Sequence, residues 1–131
     1  MQDCGALGPG MHPESEPETA ALCAFLRKNA PFDLLLSLHT AGEEIYGSES
    51  PAASQKENTV GAVLARLCGY TLCAPPSSCR GGGLKDWYEL AFHAPAFTIE
   101  CGCGETPLPP ESLGALYERL RRALFTAAVL S

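Results

Sequence analysis

The chain has 131 residues, 46% hydrophobic and 18% charged, with 9 Lys and Arg against 15 Asp and Glu for a net charge of −6. That length suits one domain, and that apolar fraction supports a real core, which excludes global disorder. No window approaches the ~18 consecutive apolar residues of a membrane span. Met1-Gln2-Asp3-Cys4 opens no signal peptide, so a cytoplasmic location is favoured, and the acidic balance argues against broad nucleic-acid binding.

Residues 1–14 are rich in Gly and Pro and read as loop. Ser15-Glu16-Pro17-Glu18 fits a capping box, with the Ser15 hydroxyl accepting an early helical N–H and Glu18 reaching back. Pro17 suits a first helical turn, where its missing N–H costs nothing. The helix carries Leu22, Cys23, Phe25 and Leu26 and should stop near Asn29, because Pro31 disfavours helical geometry at Ala30.

Residues 32–39, FDLLLSLH, form a short apolar run that predicts a strand buried on both faces. The polar stretch 42–55 is predicted to be loop. Asn58 or Thr59 is expected to cap a helix bearing Val60, Val63, Leu64 and Leu67 and ending at Gly69. Residues 75–83, PPSSCRGGG, read as loop, and 84–92 as a short helix with Leu84, Trp87, Leu90 and Ala91 on one side. Residues 96–101 are β-prone until Gly102 and Gly104 break the run. The last helix spans about 111–129, with Leu113, Leu116, Tyr117, Leu120, Leu124 and Ala127 at helical spacing. The order helix–strand–helix–helix–strand–helix indicates a layered α/β architecture.

Seven cysteines stand at 4, 23, 68, 73, 79, 101 and 103. None forms a C-x-x-C pair, which argues against a structural zinc finger. They read as small thiols in a reducing compartment, with a disulfide among Cys68, Cys73 and Cys79 as the competing reading. On an extended chain Cys101 and Cys103 would share one face. His12 and His93 read as loop residues.

Two polar residues end apolar strands, His39 and Glu100. Ligands of open α/β sheets gather at the carboxyl ends of strands. A His there can bind a metal, and a partly desolvated Glu can act as a general base. Both residues also suit a place where the chain simply meets water. Lys85 reads on its own as an exposed first-turn lysine.

SEPET, then FDLLLSLHTAGEEIYG, then GGGLKDWYELAFHAPAFTIECGCGETPLP, resemble in content and order the zinc carboxypeptidase family of the carboxypeptidase A type. In particular they resemble its bacterial branch, which cleaves γ-D-glutamyl-diaminopimelate bonds of peptidoglycan peptides. The resemblance implies a three-layer α/β fold with helices on both sides of a mixed, mostly parallel sheet. It implies that His39, in Ser37-Leu38-His39, is a zinc ligand. It implies that Glu100, in Phe97-Thr98-Ile99-Glu100, is the catalytic carboxylate. Zinc would polarise the scissile carbonyl and acidify water, and Glu100 would pass the water's proton to the leaving amine. Lys85 falls at a specificity-pocket position, where it would favour a substrate carrying a negative group, and Arg80 is a second anion contact.

Other family elements have no counterpart in these residues. His12 and His93 are followed at the third position by Ser15 and Ala96, so the zinc-binding His-x-x-Glu element is missing. The upstream Arg and Asn-Arg elements and the mobile-loop tyrosine, which would fall near Ser78, are missing too. Residues 1–131 are therefore expected to be the C-terminal part of a catalytic domain, holding one zinc ion only partly. The expected function is zinc-dependent hydrolysis of a C-terminal peptide or peptidoglycan-peptide amide bond. The alternative is a non-catalytic remnant that binds acidic peptides through Lys85 and Arg80. A Cys–His nucleophilic enzyme finds no supporting arrangement. An open sheet edge predicts self-association.

Overall fold

The computed structural model describes residues 12–48 and 55–130. Cys4, most of the N-terminal loop and residues 49–54 of the polar stretch lie outside these. The elements in chain order are α1 (Pro17–Asn29), β1 (Leu35–His39), β2 (Glu44–Tyr46), α2 (Gln55–Cys68), β3 (Thr71–Cys73), α3 (Leu84–Phe92), β4 (Ala96–Glu100) and α4 (Leu113–Leu130). Short 3-10 turns occupy Ser77–Cys79 and Pro110–Ser112.

The four strands form one sheet in the order β1-β4-β2-β3. The β1–β4 and β2–β3 pairs are parallel, and β2 runs antiparallel to β4. Alternation along each strand then decides the layers. Ile45, Phe97 and Ile99 point to one face, where they bury against Val60 and Leu64 of α2 and Leu120, Ala123 and Ala127 of α4. Leu35 and Ala96 point to the other face, against Leu26 of α1 and Tyr88 of α3. The result is the expected three-layer helix–sheet–helix arrangement. Each fully buried side chain such as Leu64 or Ile99 contributes about 1.5–3 kcal/mol by leaving water.

α2 lies close on the sheet because Gly61 has no side chain; a Cβ there would stand 2.9 Å from the Phe97 ring. Gly102 meets both demands for glycine: its φ is +70°, and a Cβ would fall 2.9 Å from Leu108.

Several expectations are corrected. The Ser15 capping box does not form: Pro17 starts the helix, Glu16 takes the cap position, and the Ser15 hydroxyl bonds Glu16 instead. β1 begins at Leu35 and, among the described residues, is an edge strand with Leu38 exposed, not a strand buried on both faces. The predicted loop 42–55 contains β2, and β3 was not foreseen. Both strands have three residues, too few to show a period, and sheet pairing recruits them. α2 starts at Gln55, before Asn58 and Thr59, and the Thr59 hydroxyl donates back to the Gln55 carbonyl. In α4 the buried positions are Leu120, Ala123 and Ala127, while Leu113 and Tyr117 face solvent. Cys23, Cys68, Cys73, Cys101 and Cys103 are free thiols, so no disulfide forms among Cys68, Cys73 and Cys79. Cys101 is buried and Cys103 exposed, because the left-handed turn at Gly102 ends the extended chain between them.

Candidate functional site

Among the described residues, the sheet face that α1 and α3 cover at one end is left bare at the other, where β1 and β4 finish. In register there, His39 lies beside Glu100, and Glu100 lies beside Glu44 of β2. One step back, Ser37, Thr98 and Tyr46 make a second row. Residues paired in register project to the same face, and neighbouring strands lie about 4.8 Å apart. The sequence-predicted pair His39 and Glu100 is thus brought together.

His39 is exposed, and its Nε2 lies 3.0 Å from the Ser37 hydroxyl, two residues back on the same face. Its backbone is pinned by the Cys101 N–H, which donates to the His39 carbonyl at 2.7 Å. The turn after β1 folds back over the site: the N–H groups of Gly42 and Glu43 both donate to the Gly102 carbonyl. A Cβ on Gly42 would stand 3.3 Å from Glu100 Cβ, so a small residue brings that turn against the carboxylate.

Burial pushes the Glu100 carboxyl above the ordinary carboxylate range; nearby His39 pulls it down and Glu44 adds to the rise. A carboxylate raised in this way is a better proton acceptor near neutral pH. Glu44 is held by the Tyr46 hydroxyl, which donates to its Oε2 at 2.7 Å. Burial first, and Glu44 second, drive the Tyr46 phenol strongly upward, so it stays protonated as a donor. The sequence reading missed Glu44 and Tyr46 because it treated 42–55 as loop. The available signal was the polar–apolar–polar triplet Glu44-Ile45-Tyr46, whose centre is fully buried.

Lys85 is not the exposed lysine of a helix start; it is 4% exposed. Its Nζ lies 2.7 Å from Asp86 Oδ1 and 3.3 Å from Glu89 Oε2. Burial alone would lower its pKa, but these two carboxylates outweigh it and raise it. Burial also pushes Asp86 upward, yet Lys85 and the N–H groups of Gly83 and Gly81 win and hold it low. For Glu89 burial wins, and its carboxyl is raised despite Lys85. Glu89 Oε1 is buried without a hydrogen-bond partner among the described residues. Asp86 is therefore the main partner of Lys85. Asp86 Oδ2 also accepts from Gly81 N–H at 2.9 Å, tying the glycine run to the start of α3. Arg80 is exposed, and its Nε donates to the Pro75 carbonyl at 3.2 Å.

Beyond Tyr46, where β2 and β3 end, a hollow of about 320 Å³ is lined by Ser48, Glu57, Gly61, Leu72, Cys73 and Phe97. Cys73 is the register partner of Tyr46, which joins the hollow to the polar face. Among the described residues no group of three or more His, Cys, Asp and Glu side chains can hold a metal ion. No described helix is long and apolar enough to cross a membrane.

A sequence model of the family described as zinc carboxypeptidase matches residues 1–122. The chain is 32% identical over 121 residues to YqgT, an uncharacterized protein of Bacillus subtilis (strain 168), with 89% of this chain and 32% of that protein covered. It is 30% identical over 109 residues to the gamma-D-glutamyl-L-diamino acid endopeptidase 1 of Lysinibacillus sphaericus, covering 83% of this chain and 27% of that protein. The chain thus spans about a third of the length of these relatives. Among solved structures it is similar to the carboxypeptidase A of Helicoverpa armigera, with a TM-score of 0.69 at 14% identity, over 92% of this chain and 35% of that one. It is also similar to thrombin activatable fibrinolysis inhibitor, with a TM-score of 0.58 at 25% identity, over 92% of this chain and 34% of that one.

Proposed function

The chain belongs to the zinc carboxypeptidase family, and from that premise we propose that it supplies one zinc-binding imidazole, His39, and the proton-transfer carboxylate, Glu100, to a peptidase site. Residues 1–131 would then be the C-terminal part of a catalytic domain. The substrate class is a peptide amide, and similarity to the Lysinibacillus endopeptidase favours a γ-D-glutamyl-diamino acid bond of a peptidoglycan peptide. The carrying observation is the register of β1 and β4, which sets His39 and Glu100 side by side on an open face.

The donor set fits zinc in kind and falls short in number. His39 is an exposed imidazole at a strand tip, a suitable ligand. A catalytic zinc site usually takes three protein ligands, and among the described residues no cluster of three exists. When bound, zinc would supply Lewis acidity to the scissile carbonyl. The chain's own residues do the rest. Ser37 steadies the His39 ring. Glu100, its basicity raised by burial, takes a proton from the attacking water and returns it to the departing amine nitrogen. Arg80 and Lys85 are the proposed contacts for an anionic substrate group. At Lys85 such a group competes with Asp86 and Glu89, so its selectivity rests on how far that ion pair opens. The second reading is a non-catalytic module that binds acidic peptides through Lys85 and Arg80.

The test is hydrolysis of a γ-D-glutamyl-diaminopimelate peptide, with zinc, by this chain joined to the part of YqgT outside the aligned residues. Turnover is expected and should fall about 10²–10⁴-fold in Glu100→Gln. Undiminished turnover in that variant would remove Glu100 from the base role. Peptide binding with no turnover and no zinc uptake would favour the binding module.

A further inference from the structure

The charges gathered in the first two turns of α3 do not cancel. The buried Lys85 ammonium holds Asp86 at 2.7 Å and Glu89 at 3.3 Å. Asp86 is engaged through both oxygens, since its Oδ2 also accepts from the N–H groups of Gly81 and Gly83. Glu89 has the longer contact, through Oε2, and its Oε1 is the buried acceptor without a donor among the described residues. One ammonium thus serves two carboxylates, and Glu89 carries the surplus negative charge. Glu57, in the first turn of α2, adds to it, because its charge also acts on Glu89. A buried acceptor costs free energy until something donates to it. Glu57 lines the hollow beyond Tyr46, so the surplus charge adjoins an open space that Cys73 joins to the polar face.

The Lysinibacillus relative is a gamma-D-glutamyl-L-diamino acid endopeptidase. A diamino acid has a second amino group, cationic at neutral pH, and the proposed contacts Lys85 and Arg80 are cations that would repel it. We infer that the Glu89 carboxylate is the seat for the side-chain ammonium of the substrate's diamino acid, entered from the hollow beyond Tyr46. The incoming ammonium takes Glu89 from Lys85, the weaker of the two Lys85 contacts, and gives Oε1 the donor it lacks. Lys85 stays paired with Asp86 and turns its released N–H to the carboxylate that diaminopimelate carries beside its second amine. A side chain ending in a carboxylate alone meets the surplus negative charge and is disfavoured. The inference deepens the peptidase reading and rests on it for the substrate's identity.

The test titrates this chain, isotopically labelled, with the Nα-acetyl forms of diaminopimelate, lysine and 2-aminopimelate, and follows the amide signals of residues 84–90 by nuclear magnetic resonance. The last probe keeps the second carboxylate and lacks the second amine. Diaminopimelate and lysine probes are expected to bind at least tenfold more tightly than the 2-aminopimelate probe. Glu89→Gln should erase that preference, whereas Glu118→Gln on α4, which is exposed, should keep it; circular dichroism verifies that both variants fold. Turnover of the matching γ-D-glutamyl peptides by the chain joined to the YqgT part should follow the same order. Amine-dependent binding without turnover supports the seat and removes the peptidase reading. Turnover that ignores the second amine, or keeps its preference in Glu89→Gln, leaves that reading standing and overturns the seat. Equal binding of the three probes, or binding of none, overturns it as well.

Discussion

The two faces of the sheet are made by the same strands and have opposite fates. In β4, Phe97 and Ile99 are sealed under α2 and α4, while Thr98 and Glu100 alternate with them on the side that α3 covers only in part. The sealed face carries stability, and its one phenol, Tyr70, is satisfied by the Gly102 N–H. The bare face accepts the cost of a half-buried carboxylate and carries the proposed chemistry. A one-residue slip of register would exchange the two sets and lose both. Stability and function are thus coupled through register, not through shared contacts.

Substitutions on the two faces should separate these roles. Under the proposed function, Glu100→Gln is expected to lower turnover by the chain joined to the YqgT part about 10²–10⁴-fold. Because burial disfavours the Glu100 charge, its thermal stability at neutral pH should be unchanged or slightly higher, as a melting curve would read. Ile99→Ala, one residue away on the sealed face, should cost about 2–5 kcal/mol in urea unfolding. A Glu100→Gln protein as unstable as Ile99→Ala would break the contrast between the faces.

The α3 cluster lies between these extremes. Asp86→Asn strips the buried Lys85 ammonium of its nearer partner and should cost about 1–3 kcal/mol. The sign of its pH dependence follows from the lowered carboxyl of Asp86. Its stabilisation is complete above the unfolded value, near ~3.9, and is lost as pH falls through the lower folded value. Acid unfolding of the wild type in that window should therefore be steeper than that of Asp86→Asn. Glu89 has the opposite sign, since its carboxyl is raised; Glu89→Gln should leave neutral-pH stability equal or improved. The smallest effect belongs to Tyr46→Phe, which removes the hydrogen bond to Glu44 and should cost about 0.5–1.5 kcal/mol. A larger loss would place Tyr46 in the core, not on the bare face.

The elements that were legible have strong local signals. Pro31 stops α1, Gly69 stops α2 with a φ of +70°, and the 3.6-residue spacing marks α3 and α4. His39 and Glu100 stood out because each ends an apolar run. β2 and β3 were illegible for the reason that they are short: three residues cannot display alternation, and Glu44-Ile45-Tyr46 becomes a strand only by pairing with β4. The reading of Lys85 as exposed fails because its local spacing to Asp86 and Glu89 shows its ion partners but not that α3 packs the side chain out of water.

The order of residues by itself determined the helices, the two long strands and the two strand-end groups. Those follow from local backbone preference and from apolar spacing within a dozen positions. Only the tertiary structure decided that His39, Glu100 and Glu44 lie in one row and that Lys85, with its ion partners on its own helix, is buried. The row depends on which strands pair and in what register, and the burial of Lys85 on how α3 packs on the sheet; both are settled by burial of surfaces brought together from distant parts of the chain.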